Sequence, residues 1–164
     1  MIAVTDVPGA RNAAAGFTLV ELVTVMILIG ILAAVALPRM FDRRDFDVVA
    51  FRDATVALLR YAQKEAIAQR RDVCVTFAAN QASLMIAGSP GNGQACDTTL
   101  GGASGAALVR ASGNVTFATT PAGFRFHALG DAEFTPSAAT KTFTVGSDSR
   151  TVTIEGTTGY VHVD

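Results

Sequence analysis

Residues 17–37, FTLVELVTVMILIGILAAVAL, form a run of 21 residues with a single charge, Glu21. As a helix rising about 1.5 Å per residue this run reaches roughly 31 Å, close to the thickness of a bilayer's hydrocarbon core. A secretory signal has a shorter apolar stretch, followed by small residues at the cleavage site. Here the small residues Ala13-Ala14-Ala15-Gly16 come first. A cut after Gly16 would release a polar leader, residues 1–16, and keep the hydrophobic helix.

Glu21 constrains the segment further. A carboxylate inside a membrane span costs on the order of 3 kcal/mol even on lenient insertion scales, so something must neutralise it. Cleavage after Gly16 gives Phe17 a new α-amino group, and Glu21 lies four residues on, one helical turn away. The Phe17 amine, in the same or a neighbouring subunit, is the natural counter-charge. A carboxylate in the first turn also suits the helix dipole.

Gly16-Phe17-Thr18-Leu19-Val20-Glu21-Leu22, followed by an unbroken apolar helix, resembles the cleavage and methylation motif of type IV prepilins and type II secretion pseudopilins. The resemblance implies that a prepilin peptidase cuts between Gly16 and Phe17 and methylates the Phe17 amine. It implies that Glu21 aligns each incoming subunit against the Phe17 amine of its neighbour. It also implies a single-pass inner-membrane protein, head in the periplasm, delivered by an inner-membrane assembly platform into a pilus or pseudopilus. Pro38 stands where these families carry a helix-distorting proline. It cannot donate to the Ala34 carbonyl, so with Gly30 it marks a stretch expected to kink or melt locally in a packed filament. The leader departs from the family's usual basic character, since its one basic residue, Arg11, is offset by Asp6. Orientation is therefore read from the motif rather than from flanking charge.

Residues 39–72 continue as an amphipathic helix. Phe51, Thr55, Leu58, Ala62 and Ala66 fall on one stripe at helical spacing, widened by Val49, Val56, Leu59 and Gln63. Arg52, Arg60, Lys64 and Arg70 are assigned to the solvated side. With residues 17–38 this predicts one long helix, half in lipid and half on the head. After Arg71 the period becomes that of strands: 73–77, 84–86, 108–109, 115–117, 124–126, 141–145, 150–154 and 160–163, punctuated by Gly, Asn, Asp and Pro. Strands this close together pair antiparallel. The expected fold is α+β: a long N-terminal helix packed on an antiparallel β head at 73–164, arranged as two small sheets. A helix followed by short strands, with cysteines early in the head, is similar to the GspH/FimT-like minor pilins and pseudopilins.

Cys74 and Cys96 would be free thiols in a reducing cytosol and one disulfide outside the inner membrane. The N-terminal motif selects the second reading. The bond would close a loop of about 23 residues, contributing roughly 3 kcal/mol in the chain-entropy view. It would also anchor Gly88–Ala106, the longest stretch expected to lack regular structure.

No catalytic, cofactor or metal pattern stands out. His127 and His162 sit singly in strand patterns, without a cysteine or carboxylate at metal-ligand spacing. The Gly91-Asn92-Gly93 and Gly101-Gly102 pairs fall in a loop, not between a strand and a helix, so neither is a phosphate cradle. Three functions share this chassis, none enzymatic. They are a minor type IV pilin that primes or joins assembly, a type II secretion pseudopilin of the H type, and a minor pilin that captures DNA. Nucleic-acid capture calls for clustered basic residues. The head has four, Arg110, Arg125, Lys141 and Arg150, scattered, and its C-terminal stretch reads Gly159-Tyr160-Val161-His162. That argues against DNA as a partner and leaves other pilin subunits as the expected ones.

Overall fold

A computed structural model of the chain describes residues 17–40, 44–102 and 105–164, with the side chains of 35–40 outside the description. The expected leader, including Gly16, lies outside the described residues. So do residues 41–43, on which the expectation of one continuous helix turns. The chain divides into two units, Met1–Asp42 and Arg43–Asp164.

In the first unit, helix α1 (Leu19–Met40) is assigned without interruption through Gly30 and Pro38. Between Leu19 and Ala34 every side chain except Ala33 is exposed, and nearly all of them are apolar. Among the described residues no helix is long and apolar enough to cross a membrane. The expected span, 17–38, runs past residue 34 into positions whose side chains are not described.

The second unit opens with helix α2 (Arg44–Gln69), whose buried face is Val48, Phe51, Arg52, Thr55, Val56, Leu58, Leu59, Ala62 and Ala66. The expected stripe is all there, with two corrections. Val49 is 42 % exposed, because it stands one position round from Val48, which takes the inward place. Arg52, assigned to solvent for its charge, is buried. Its spacing, four after Val48 and three before Thr55, puts it on the inner face regardless of charge. The helix closes with Arg70 at φ 52° and the Arg71 amide donating to the Ala66 carbonyl at 3.2 Å. This is a Schellman-type end with a non-glycine residue in the left-handed position.

The strands are β1 (Val73–Ala78), β2 (Gln81–Ala87), β3 (Cys96–Thr99), β4 (Gly101–Gly102), β5 (Gly105–Ala106), β6 (Leu108–Arg110), β7 (Phe124–Phe126), β8 (Ala132–Phe134), β9 (Thr140–Phe143), β10 (Val152–Glu155) and β11 (Val161–Val163). A six-stranded sheet runs β3-β2-β1-β7-β8, with β6 also on β2; β11-β10-β9 form a second sheet and β4-β5 a small hairpin. All pairings between these strands are antiparallel. In β1 the buried Val73 and Val75 alternate with Cys74 and Thr76, and β7 buries Phe124 and Phe126 beside them. Phe117 anchors an aromatic cluster with ring centroids 5.0 Å from Phe51 and 5.5 Å from Phe77 and Phe143.

Two expectations about strands are corrected. Residues 88–106, expected to be structureless, contain β3, β4 and β5. These are Thr- and Gly-rich pieces held by backbone pairing, for which side-chain alternation gives no sign. Residues 115–117, expected as a strand, make only one isolated bridge, Phe117 to Val145. Phe117 donates to the Ala79 carbonyl and Ala118 to that of Thr144, so the segment is shared between two partners and forms no ladder.

Candidate functional site

Helix α1 begins where its first polar side chain can close it. The Glu21 amide donates to Thr18 Oγ1 at 3.2 Å, and the Leu22 amide to the Thr18 carbonyl at 3.1 Å. Thr18 is thus the N-cap and Glu21 the third helical residue, the spacing of a capping box. Thr24 Oγ1 donates back to the Val20 carbonyl at 2.7 Å, leaving no free hydroxyl on that turn. Phe17 is 81 % exposed immediately ahead of the cap. Phe17 and Glu21 therefore flank a structured helix start, and a β-carbon at Gly30 would meet nothing within 4 Å.

In the head, Cys74 and Cys96 form a disulfide with their Cα atoms 6.0 Å apart. Beside it lies a polar cluster that sequence reading did not find. Asp72 is fully buried. One carboxylate oxygen accepts the Gly93 amide at 2.6 Å, and the other lies 2.8 Å from His127 Nδ1. Arg125 approaches Asp72 at 3.5 Å, and both His127 Nε2 and Arg125 Nε lie 3.4 Å from Glu133. The cluster stitches the disulfide loop to β7 and β8. His127, read as single in its strand, acquires two carboxylate neighbours only through cross-strand registers: Val73↔Phe126 between β1 and β7 brings Asp72, and Phe126↔Ala132 between β7 and β8 brings Glu133. His162 stacks on Tyr160 with ring centroids 5.2 Å apart, and its Nε2 lies 3.3 Å from Asp164. Among the described residues no group of three or more His, Cys, Asp or Glu side chains is arranged so that it could hold a metal ion.

A second buried charge fixes the N-terminal half of α2. Arg52 bonds both Asp53 and Asp148, the latter in the turn between β9 and β10. Burial works to lower the Arg52 pKa, but the two carboxylates outweigh it and hold it above its ordinary value. The Arg150 amide, 3.0 Å from Asp148, holds that carboxyl below the usual range; burial opposes this and Arg52 adds to it. Further along α2, Arg60 Nη2 donates to the Val161 carbonyl at 2.9 Å. Gln63 Nε2 donates to the carbonyls of Gly130 and Thr158 at 2.9 and 2.7 Å. These side chains moor the helix to turns of the head and to β11. They are architecture.

A helix packed on antiparallel sheets, preceded in sequence by an apolar helix capped by Thr18 and carrying Glu21, defines a pilin-like α+β subunit. The chain belongs to the family described as type II transport protein GspH, which matches residues 53–158. The prokaryotic N-terminal methylation motif matches residues 11–37. These pilin and pseudopilin families are membrane-anchored structural subunits that assemble into filaments. Over 60 residues the chain is 45 % identical to the type IV narrow pilus major component PilA5 of Thermus thermophilus, covering 37 % of this chain. The alignment spans 52 % of that relative, about half its length. In fold the chain is similar to the type IV minor pilin FimU of Pseudomonas aeruginosa. The TM-score is 0.50 at 17 % identity, over 74 % of this chain and 91 % of that one.

Proposed function

We propose that the chain is a minor type IV pilin, a filament subunit that primes or joins pilus assembly. Its leader, 1–16, is removed between Gly16 and Phe17 by a prepilin peptidase, which then methylates the Phe17 amine. Residues 17–38 span the bacterial inner membrane once, and residues 39–72 and 73–164 stand in the periplasm as helix and head. The observation that carries this reading is the coincidence of the methylation motif at 11–37 with a helix start closed by Thr18 and bearing Glu21. In the membrane Glu21 pairs with the Phe17 amine of a neighbouring subunit, which offsets the cost of its burial. Gly30 and Pro38 let the helix loosen as subunits pack. The inner-membrane assembly platform and other pilin subunits are its partners, and it carries out no catalysis.

Glu21→Ala tests the proposal. The variant is expected to be cleaved and inserted but missing from sheared filaments; normal incorporation would remove the assembly role from Glu21.

A second reading, the H-type pseudopilin of type II secretion, is favoured by the match over 53–158. Deleting the gene separates the two: loss of surface pili supports the first, and retention of pili with loss of exoprotein export supports the second. DNA capture draws little support, because Arg110 is engaged by Gln81 at 2.8 Å and Arg125 by Glu133 at 3.4 Å. A gel shift at low salt with no retarded band would retire it.

A further inference from the structure

Among the described residues the outer edge of β9 carries no strand partner, and backbone pairing on that side begins only after the strand ends. Just beyond β9, the Thr144 carbonyl accepts the Ala118 amide at 3.1 Å, and the Gly146 amide donates to the Thr116 carbonyl at 2.7 Å. Past Ala118 the two segments diverge, because residues 119–123 leave to enter β7 in the other sheet. Backbone alternation turns the N–H and C=O groups of Thr142 and Thr140 toward the same outer side as those of Thr144 and Gly146. Thr142 and Thr144 border a cleft of about 450 Å³, walled by Thr119, Thr120 and Pro121 on one side and Lys141, Thr142 and Thr144 on the other, with Thr140 next along the strand. Pro121 has no N–H to offer across the gap. β9 is the end strand of its sheet, and in the cleft its backbone faces open space.

Lys141 supplies the chemistry. Its ammonium lies 5.7 Å from the centroid of the Phe134 ring. Among the described residues no carboxylate lies within ion-pair distance of it. Burial holds its pKa below the ordinary lysine value. A partly desolvated, unpaired cation beside an open strand edge is complementary to an anion carried on an extended backbone.

We propose that this cleft binds an extended, acidic peptide segment of a partner protein, which adds as a strand to the outer edge of β9 and sets a carboxylate against Lys141. Backbone bonds to Thr140 and Thr142 hold the segment, and the lysine selects its charge. The site does not depend on which filament the chain enters.

The test uses the full ¹⁵N-labelled chain in detergent micelles, titrated with the blocked peptide acetyl-Thr-Val-Glu-Val-Thr-amide and its Gln counterpart. Saturable amide shifts are expected at Thr140, Thr142, Thr144, Thr119 and Thr120, with the Glu peptide binding about threefold more tightly. Lys141→Met should abolish that preference and Lys141→Arg should keep it. A Glu peptide N-methylated along its backbone should not bind. The proposal is overturned by any of three results: no saturable shift at these amides, equal affinity for the two peptides, or undiminished binding of the N-methylated probe.

Discussion

The carboxylate of Asp72, the residue ahead of β1, stands 2.8 Å from Nδ1 of His127, the residue after β7, with the Asp72 side chain wholly out of solvent. The same carboxylate accepts the Gly93 amide, so one buried group ties a helix–strand junction, a loop and a neighbouring strand. Removing it leaves a buried imidazole nitrogen and a backbone amide without their acceptor. Asp72→Ala is expected to cost about 3 kcal/mol and His127→Ala less, about 1–2 kcal/mol, because the second change leaves the Gly93 bond in place. Urea unfolding of the two variants gives the order, and faster proteolysis near Gly93 in Asp72→Ala would locate the damage.

The Arg52–Asp148 pair gives an acid-limb prediction. The folded-state pKa of Asp148 is lowered, first by the Arg150 amide. Its contribution is therefore fully present above the ordinary carboxylate range near pH 4 and is lost as pH falls through the lowered folded value. The stability gap between the native chain and Asp148→Asn should be constant from pH 7 down to about pH 5 and then shrink on acidification. Thermal unfolding at stepped pH measures it, and a gap that widened in acid would contradict the assignment.

Reduction of the Cys74–Cys96 bond, which closes a sequence separation of 22, should lower stability by about 3 kcal/mol. Asp72 and the β2–β3 pairing also hold this loop, so the reduced head is expected to unfold earlier in urea while remaining folded in buffer. Paired denaturation curves with and without reductant provide the check.

Arg70 offers a change in the other direction. It holds a left-handed conformation at the end of α2, which disfavours any side chain with a β-carbon by roughly 1 kcal/mol. Arg70→Gly should therefore stabilise the head by about 0.5–1 kcal/mol, seen as a higher urea midpoint with an unchanged slope.

Much of this was legible where one periodicity ruled. The stripe from Phe51 to Ala66 and the Phe124–Phe126 strand follow from spacing and apolar character alone. The failures share a cause, the sorting of residues by chemistry when geometry decides. Arg52 was assigned to solvent for its charge although its spacing is that of Val48 and Thr55. For Asp72 and His127 no local signal exists, since their meeting depends on which strand lies beside β1. Antiparallel pairing of β1 with β7 across 50 residues of sequence, Cys74 opposite Arg125, cannot be read from either strand alone. β3 to β5 escaped notice because their pairing is carried by backbone rather than by side chains. At the helix start, Thr18 and Glu21 were readable as a motif. The bond from Thr18 to the Glu21 amide adds that the same two residues also build the first turn.

The moorings of α2 bear on how the head would take a mechanical load. Arg52 to Asp148, Arg60 to the Val161 carbonyl, and Gln63 to the Gly130 and Thr158 carbonyls are spread along the helix. Tension applied along the helix axis stretches these links together, in shear, so that several must rupture at once. A sideways pull would peel them one after another. Sliding of α2 along its own axis is thus opposed by several links acting in parallel.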